Sequence, residues 1–551
     1  MAKTTKDIIH LIQTILTEHD DFYDHYRSEL RKYRDVYENK FWADQWNDDA
    51  MIRVETADCY SYIEGFIASL FSRNPAVVIS KDPAMANGEP ILAQEIVNRF
   101  LFDKREAIET ASRLALIYPN SFLKLSPVET EDVLEKVDIR AIPPWEIIVD
   151  TDASTWNTQR FCGHVYYLDV PSAKAKFGDK QFKPIPKVDY FNSQAKYKGY
   201  SPGQKESLPE EYLYVQIVEL YDFAYDKLYI WTPNWANGEQ LLEKSEIPIR
   251  TYDNKPLSPI CPLYFANKPE RPMCGLSAVS RAYDQFYEKN ILRTYWANAV
   301  RRDSRQYIYK EGSMDEESLA KITAGIDGAM IAVDEPSLDG VIRTVGVEPI
   351  STNFDRYQAQ IEADINRSSI LAPFSRGEAS KATATEVTAL AQYSASEIGK
   401  LARQKDQAIE MIATVYLRII SLLVDAKEVV TIDVNGLPTL VTTQDLDAKF
   451  KIVALDQSST PLSESIKKNN LVSLAPTLIQ FGVPPQKILK EIQRLFDFPK
   501  DFLPEEQAQQ AQQPMQQAPQ QAQNVETQTG DIGPQGQLPA ELLAQALQGR
   551  K

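Results

Sequence analysis

Side chains able to do chemistry are sparse in this chain of 551 residues. Phosphate transfer calls for a G-x-x-x-x-G-K-[ST] loop whose backbone amides cradle the phosphates, and no such run occurs. H-E-x-x-H, a C-x-x-C pair and G-x-S-x-G are missing as well. Histidine chemistry has four residues to draw on, His10, His19, His25 and His164. His19 and His25 stand among Asp20, Asp21 and Asp24, a pattern that predicts solvated side chains at an exposed helix end. Cys162-Gly163-His164 offers two metal-ligand types, but no second pair stands nearby in sequence, so a structural loop is expected there. Asp48-Asp49 and Glu210-Glu211 read as surface carboxylates rather than a cation site. No catalytic, cofactor-binding or metal-binding residue is assigned, no cofactor is called for, and the chain is expected not to be an enzyme.

Two charged segments stand out instead. Arg301-Arg302-Asp303-Ser304-Arg305, with Lys310 after it, is the charge feature of most interest. At a helix C-terminus these cations stabilise the macrodipole, and the same charges suit a contact with DNA or a docking protein; the two readings are compatible. Phe374-Ser375-Arg376-Gly377-Glu378-Ala379-Ser380-Lys381-Ala382 is polar and small. Gly377 there admits backbone angles that other residues avoid, and Arg376 and Lys381 are placed to touch phosphates weakly. An ordinary surface connection is the competing reading.

Composition bounds the rest. Hydrophobic residues make up 43% and charged residues 25%, an ordinary globular balance, and the length calls for more than one structural region. A formal charge of −17 argues against a surface that grips nucleic acid throughout, but not against one that surrounds DNA without holding it. Cys59, Cys162, Cys261 and Cys274 are scattered, so reduced, partly buried thiols are expected rather than a disulfide framework. No apolar run is long enough to span a membrane. The first residues lack the apolar core of a signal peptide, which predicts a cytoplasmic site of synthesis and use.

The elements that must position these residues follow from periodicity. A helical, aromatic-rich stretch is predicted over 7–72, where Phe22, Tyr23, Tyr26, Tyr33, Tyr37, Phe41, Trp42 and Trp46 read as packing residues. Val77–Ile79 reads as a strand, 91–117 as one amphipathic helix, and 122–125, 137–140 and 146–149 as further strands. Residues 212–221 and 228–231 read as a hairpin. A long helix over 277–302, about 39 Å at 1.5 Å per residue, is followed by an insert with a helix at 316–324 and strands at 328–333 and 341–345. A second helix opens at Asn353, a good N-cap. Thr383 and Glu386 have capping-box spacing before a helix reaching Lys427, about 60 Å long. Its apolar stripe calls for a large partner surface or neighbouring subunits, and Gly399 suggests a kink. Strands at 429–434 and 450–455 and a helical hairpin at 462–474 and 485–496 complete the folded part. Beyond Glu505 the chain is Gln, Ala and Pro and is expected to be disordered.

From Pro262 to Leu423 this layout resembles the portal, or head-to-tail connector, family of tailed bacteriophages, and within it the podovirus connectors most closely. Cys274-Gly275-Leu276-Ser277 resembles the entry to a first stem helix, Ser375-Arg376-Gly377-Glu378 with Thr383-Ala384-Thr385-Glu386-Val387 a tunnel loop and helix, and Ser463 to Pro476 a crown. The resemblance implies an α+β, mainly helical, ring-forming fold. Its regions would be a wing (1–273), first stem helix (274–302), clip (303–351), second stem helix (352–372) and tunnel loop (373–383). A long tunnel helix with return wing strands (384–460), crown helices (461–504) and a Gln-rich tail (505–551) would follow. It implies a homo-oligomer of twelve copies at one capsid vertex, through which double-stranded DNA passes. Terminase, a tail adaptor, and capsid and scaffolding proteins would be its partners, in the virion and in the host cytoplasm during assembly, with no membrane. Arg376, Gly377, Glu378 and Lys381 would face the channel, and Arg301, Arg302, Arg305 and Lys310 would lie at the stem-clip junction. The rival readings are another phage structural protein, of tail or coat, and a nucleic-acid-processing enzyme.

Overall fold

The computed structural model describes residues 4–42, 52–81, 89–128, 130, 135–186, 190–191, 213–268, 271–303, 307–324, 331–334, 336, 342–344, 352–368, 384–423, 430–434, 437–441, 446, 448–455 and 474–475. Helix α1 (Thr5–Tyr37) opens with a capping box in which the Thr4 hydroxyl accepts from the Asp7 amide and the Asp7 carboxylate accepts from the Thr4 amide. It is followed by α2 (Asp58–Leu70), so the predicted helical stretch over 7–72 holds two helices, with non-helical backbone at 38–42 and 52–57. The strand at Val77 is β1 (Val77–Lys81). The expected helix over 91–117 is also two, α3 (Pro90–Asp103) and α4 (Arg105–Ile117), parted at Lys104. Nothing in the local sequence forbids continuation there; both halves bury their apolar residues in one core, and tertiary packing overrides the continuous pattern.

Strands β2 (Ser121–Pro127), β3 (Val137–Ile142) and β4 (Ile147–Val149) lie where expected. Cys162-Gly163-His164 is not a loop but part of β5 (Phe161–Asp169), which runs into α5 (Val170–Phe177). Next come the hairpin β6 (Tyr214–Asp222) and β7 (Lys227–Trp231), then β8 (Leu241–Ser245), β9 (Ile260–Leu263), β10 (Asn267–Lys268) and β11 (Arg271–Gly275). Strands β5, β8 and β9 were not legible in the sequence. Strands β4-β5-β6-β7-β8 form one antiparallel sheet in that order, and β3-β2-β9 form a second.

Both faces of the five-stranded sheet are covered. On β6, Val215 and Ile217 join one core with Leu228 and Ile230 of β7. Val218 and Leu220 point the other way and meet Tyr229 and Trp231, under Ile8, Ile12 and Ile15 of α1. The two-residue alternation of a strand thus feeds two cores, and β6 and β7 read as nearly unbroken apolar runs for that reason.

A short 3-10 turn at Val279–Arg281 precedes α6 (Tyr283–Asp303), so the α-helix begins at Tyr283 rather than at the predicted 277. The insert contains β12 (Tyr307–Tyr309), α7 (Glu316–Ala324) and β13 (Ile342–Thr344), with β12 and β13 paired antiparallel. Of the predicted strand at 328–333, residues 331–333 have no regular structure and 328–330 lie outside the described residues. Helices α8 (Thr352–Ser368) and α9 (Ala384–Leu423) follow. The forty residues of α9 make it about 60 Å long. It runs unbroken through Gly399, where an added Cβ would meet nothing within 4 Å.

The described part of the α9 stripe, from Ile398 to Ile420, is buried in its own chain's largest core, with α2, α3, α4 and the β3-β2-β9 sheet. Phe100 of α3 stacks on Tyr416 at 3.9 Å between ring centroids. Of the two expected alternatives, a large partner surface or neighbouring subunits, the chain's own core supplies the first for this described part of the stripe. Strands β14 (Val430–Val434) and β15 (Leu437–Val441) make a hairpin, and β16 (Phe450–Ala454) returns to pair with β1. Residues 1–467 form one unit and 468–551 another. The crown helices and the Gln-rich tail lie outside the described residues, apart from two crown positions.

Candidate functional site

Helices α6 and α8 form an antiparallel pair. Near its end α6 places Trp296 5.9 Å from Phe354 at the start of α8. Further back, Glu288 accepts a hydrogen bond from Tyr357, and Lys289 lies 3.5 Å from Glu362. The insert therefore leaves and returns at the same end of a helical hairpin. Arg301 and Arg302 occupy the last turn of α6, where cations favour the macrodipole. Lys310, exposed, starts the turn after β12, its carbonyl accepting from the Ser313 amide at 3.2 Å. Arg305 lies outside the described residues, as do Arg376, Gly377, Glu378 and Lys381.

The inner face of α6 is polar for a local reason. Asn290, Thr294 and Asn298, one turn apart, are buried and grip alternate residues of an extended segment, Ile52 to Thr56. Asn298 accepts from the Ile52 amide at 2.9 Å and donates to its carbonyl at 2.7 Å. Thr294 accepts from the Val54 amide at 2.9 Å, and Asn290 from the Thr56 amide at 2.9 Å. Four residues of helix rise about 6.0 Å and two residues of strand about 6.7 Å, so the two repeats nearly match over three contacts. Lys289, beside this ladder, pairs with Asp58 at 3.0 Å. The other buried lysine, Lys405 of α9, donates to the Leu70 carbonyl at 2.7 Å and so caps the end of α2.

A second polar group lies on the five-stranded sheet. Lys124 Nζ donates to Glu219 Oε2 at 2.5 Å and to His164 Nδ1 at 3.1 Å. An ammonium group has no acceptor, so His164 Nδ1 carries the lone pair and its proton sits on Nε2, 4.0 Å from Glu146. Tyr166 donates to Glu219 Oε1 at 2.6 Å, and Lys176 reaches Tyr166 at 3.2 Å. Burial, reinforced by the Lys124 charge, lowers the His164 pKa to about 3. Burial alone would raise that of Glu219, but the charge and hydrogen bond of Lys124, with Lys176 and Tyr166, hold it down at about 2. The group faces a cleft of about 420 Å³. Sequence reasoning missed it because its members come from four separate elements.

Cys162 is buried, its thiol pushed up to about 12 by burial and placed 3.2 Å from Ser258 Oγ. With His164 accepting from a lysine, Cys162 and His164 do not form a ligand pair. Cys59 and Cys261 are likewise buried free thiols. Among the described residues no group of His, Cys, Asp and Glu is arranged to hold a metal ion. No helix of the described residues is long and apolar enough to cross a membrane. His19 departs from expectation: its side chain is 7% exposed, with Nδ1 at 3.2 Å from Asp20 and Nε2 buried without a partner. His25 is exposed, as predicted. Asp48-Asp49 and Glu210-Glu211 lie outside the described residues.

No protein-family model matches this chain, and no curated protein matches it. Among solved structures it is similar to one described as the neck of an empty GTA particle computed with C6 symmetry. Identity there is 10% and the TM-score 0.40, over 78% of this chain and 91% of the other. A likeness of that degree decides neither fold nor function.

Proposed function

We propose that this chain is the subunit of a phage portal, a ring through which double-stranded DNA is packaged and ejected, and that it catalyses no reaction. The observation that carries the reading is the α6–α8 hairpin with a small α/β insert at its tip, followed in sequence by the forty-residue α9. That order is the one the sequence resemblance implies for stem, clip and tunnel helix. The net charge of −17 suits a channel that repels phosphates, so that DNA slides without being trapped. Because α9 buries its described stripe internally, contact between copies has to come from elsewhere. Tyr295 and Val300 on α6 and Tyr357 on α8 are 53%, 52% and 46% exposed, and we assign the packing of neighbouring copies to this hairpin.

In the same proposal the ring has twelve copies and sits at a single capsid vertex of the virion. The insert docks terminase first and the tail adaptor later, while capsid and scaffolding proteins surround the wing. Arg376 and Lys381 brush the DNA, and Arg301, Arg302, Arg305 and Lys310 form a basic collar. Mass photometry and negative-stain images of the purified full chain test it. Closed rings with a hole wide enough for a duplex are expected, and a stable folded monomer at micromolar concentration would refute the ring.

A further inference from the structure

The polar group on the five-stranded sheet satisfies itself on every side but one. Glu219 accepts from Lys124, Tyr166 and Tyr221, and the Tyr166 hydroxyl accepts from Lys176. His164 is only 8% exposed. Its Nδ1 is taken by Lys124, but the Nε2 proton has Glu146 at 4.0 Å, beyond hydrogen-bond reach. Among the described residues that donor has no acceptor. It opens on the cleft of about 420 Å³ that the group lines, a volume in the range of ligand sites.

The charges around this cleft are unevenly matched. Glu219 is answered by Lys124. Asp138 is answered by Lys104 at 3.0 Å, with Arg140 at a looser 3.4 Å. Arg140 stands opposite Lys124 in the β2–β3 ladder, so the two side chains share the face from which Lys124 reaches His164. Its side chain is 82% exposed. Lys176 of α5 is half exposed and lies 3.6 Å from Glu219, and an ammonium group has protons to spare beyond its bond to Tyr166. What remains at the opening is Lys176 and Arg140 against Glu146. Burial comes first in keeping His164 neutral, and Lys124, Lys176 and Arg140 add to it against Glu219. The field at that ring is therefore positive on balance. Val128, Ile142, Tyr167 and Leu168 make the cleft's less polar lining.

We propose that this cleft binds a small organic oxyanion, a carboxylate or a phosphate monoester, with one oxygen accepting from His164 Nε2 and the others meeting Lys176 and Arg140. Charge assistance from the two cations strengthens such contacts. Lys124, by occupying Nδ1, fixes the tautomer that presents the proton to the ligand. The apolar lining takes the organic body.

Fluorine NMR of para-fluorobenzoate and para-fluorophenyl phosphate, each mixed with the full chain, reads binding as line broadening. Broadening of at least one, reversed by excess unlabelled ligand, is expected with a Kd below about 10 mM. The tighter of the two identifies which oxyanion the cleft prefers. His164→Phe removes the donor and should weaken binding about tenfold. Should that variant fail to fold, the surface changes Arg140→Gln and Lys176→Gln still apply, each weakening it about threefold. Glu146→Gln removes a competing carboxylate and should tighten binding about threefold. Equal binding of the uncharged para-fluorobenzamide overturns the proposal, as do Arg140→Gln and Glu146→Gln variants that bind like wild type. No broadening of either anion overturns it too, and is the result if Glu146 itself closes on His164.

Discussion

Acid should loosen the five-stranded sheet through one residue, His164, before any carboxylate contributes. Its pKa in the folded chain is about 3 against 6.5 for the free side chain. A depressed folded value means that, between these limits, the unfolded chain binds a proton that the folded chain refuses. Stability is therefore full above pH 6.5 and falls as pH drops toward 3. Each pH unit within that window is worth about 1.4 kcal/mol, so about 2 kcal/mol is lost at pH 5. Glu219, held at about 2 against 4.5, has the same sign but acts only below pH 4.5, which leaves pH 5 to 7 as a range where His164 is isolated from it. In His164→Gln the side-chain amide still accepts from Lys124 and does not titrate. Native-state hydrogen exchange on the amides of β5 and β6 gives the local opening free energy without assuming that the whole chain unfolds in one step. Between pH 7 and pH 5 the wild-type value should fall by about 2 kcal/mol more than that of the variant. Equal losses in both proteins would refute the reasoning, and with it the assignment of His164 as a buried neutral base.

Lys124→Met leaves the Glu219 carboxylate buried with Tyr166, Tyr221 and Lys176 beside it and should destabilise the sheet by about 3 kcal/mol, on the scale of a broken buried pair. Adding Glu219→Gln should recover much of that loss, read as the thermal midpoint of the single and double variants. Replacing Asn290, Thr294 and Asn298 by alanine together should release the extended segment. Exchange at Ile52, Val54 and Thr56 should then rise about tenfold or more, since each unmade buried hydrogen bond costs about 1 kcal/mol, while helical content stays unchanged by circular dichroism.

The elements most legible in the sequence are those whose pattern is local. Helix α9 announces itself through a 3.6-residue stripe, and the hairpin β6–β7 through two apolar-rich runs around Ala224-Tyr225-Asp226. Strand β5 was read as a loop because Cys162-Gly163-His164 carries no alternation. Its apolar partners, Ile147 and Val218, lie on other strands, and Gly163 leaves room for the Glu219 carbonyl, which an added Cβ would approach to 2.8 Å. The break at Lys104 was hidden for the opposite reason: the pattern is continuous, and only packing divides it. His19 was misjudged because its neighbours in sequence are acids, while its neighbours in space include Tyr23, at 4.9 Å between rings. The ladder on α6 did leave a signal, since Asn, Thr and Asn at four-residue spacing form a polar stripe on a helix that must also pack.

That ladder belongs to a wider habit of the molecule, in which side chains meet extended backbone. The sheet of β1 and β16 has two strands, few for independent stability, and its outer edge on β1 is occupied by side chains of α3. Asn98 accepts from the Val77 amide at 2.7 Å and donates to its carbonyl at 3.2 Å, and Gln94 accepts from the Ile79 amide at 3.0 Å. One helical turn of carboxamides thus stands in for a neighbouring strand, as the turns of α6 do for Ile52 to Thr56. Exposed backbone is met by helix side chains at these two places and discouraged by charge on β8. At β4 the chain again supplies its own acceptors: the Ile147 amide donates to the Pro144 carbonyl, the Asp150 amide to the Gln159 side chain at 3.3 Å, and Ile147 and Ile148 are buried.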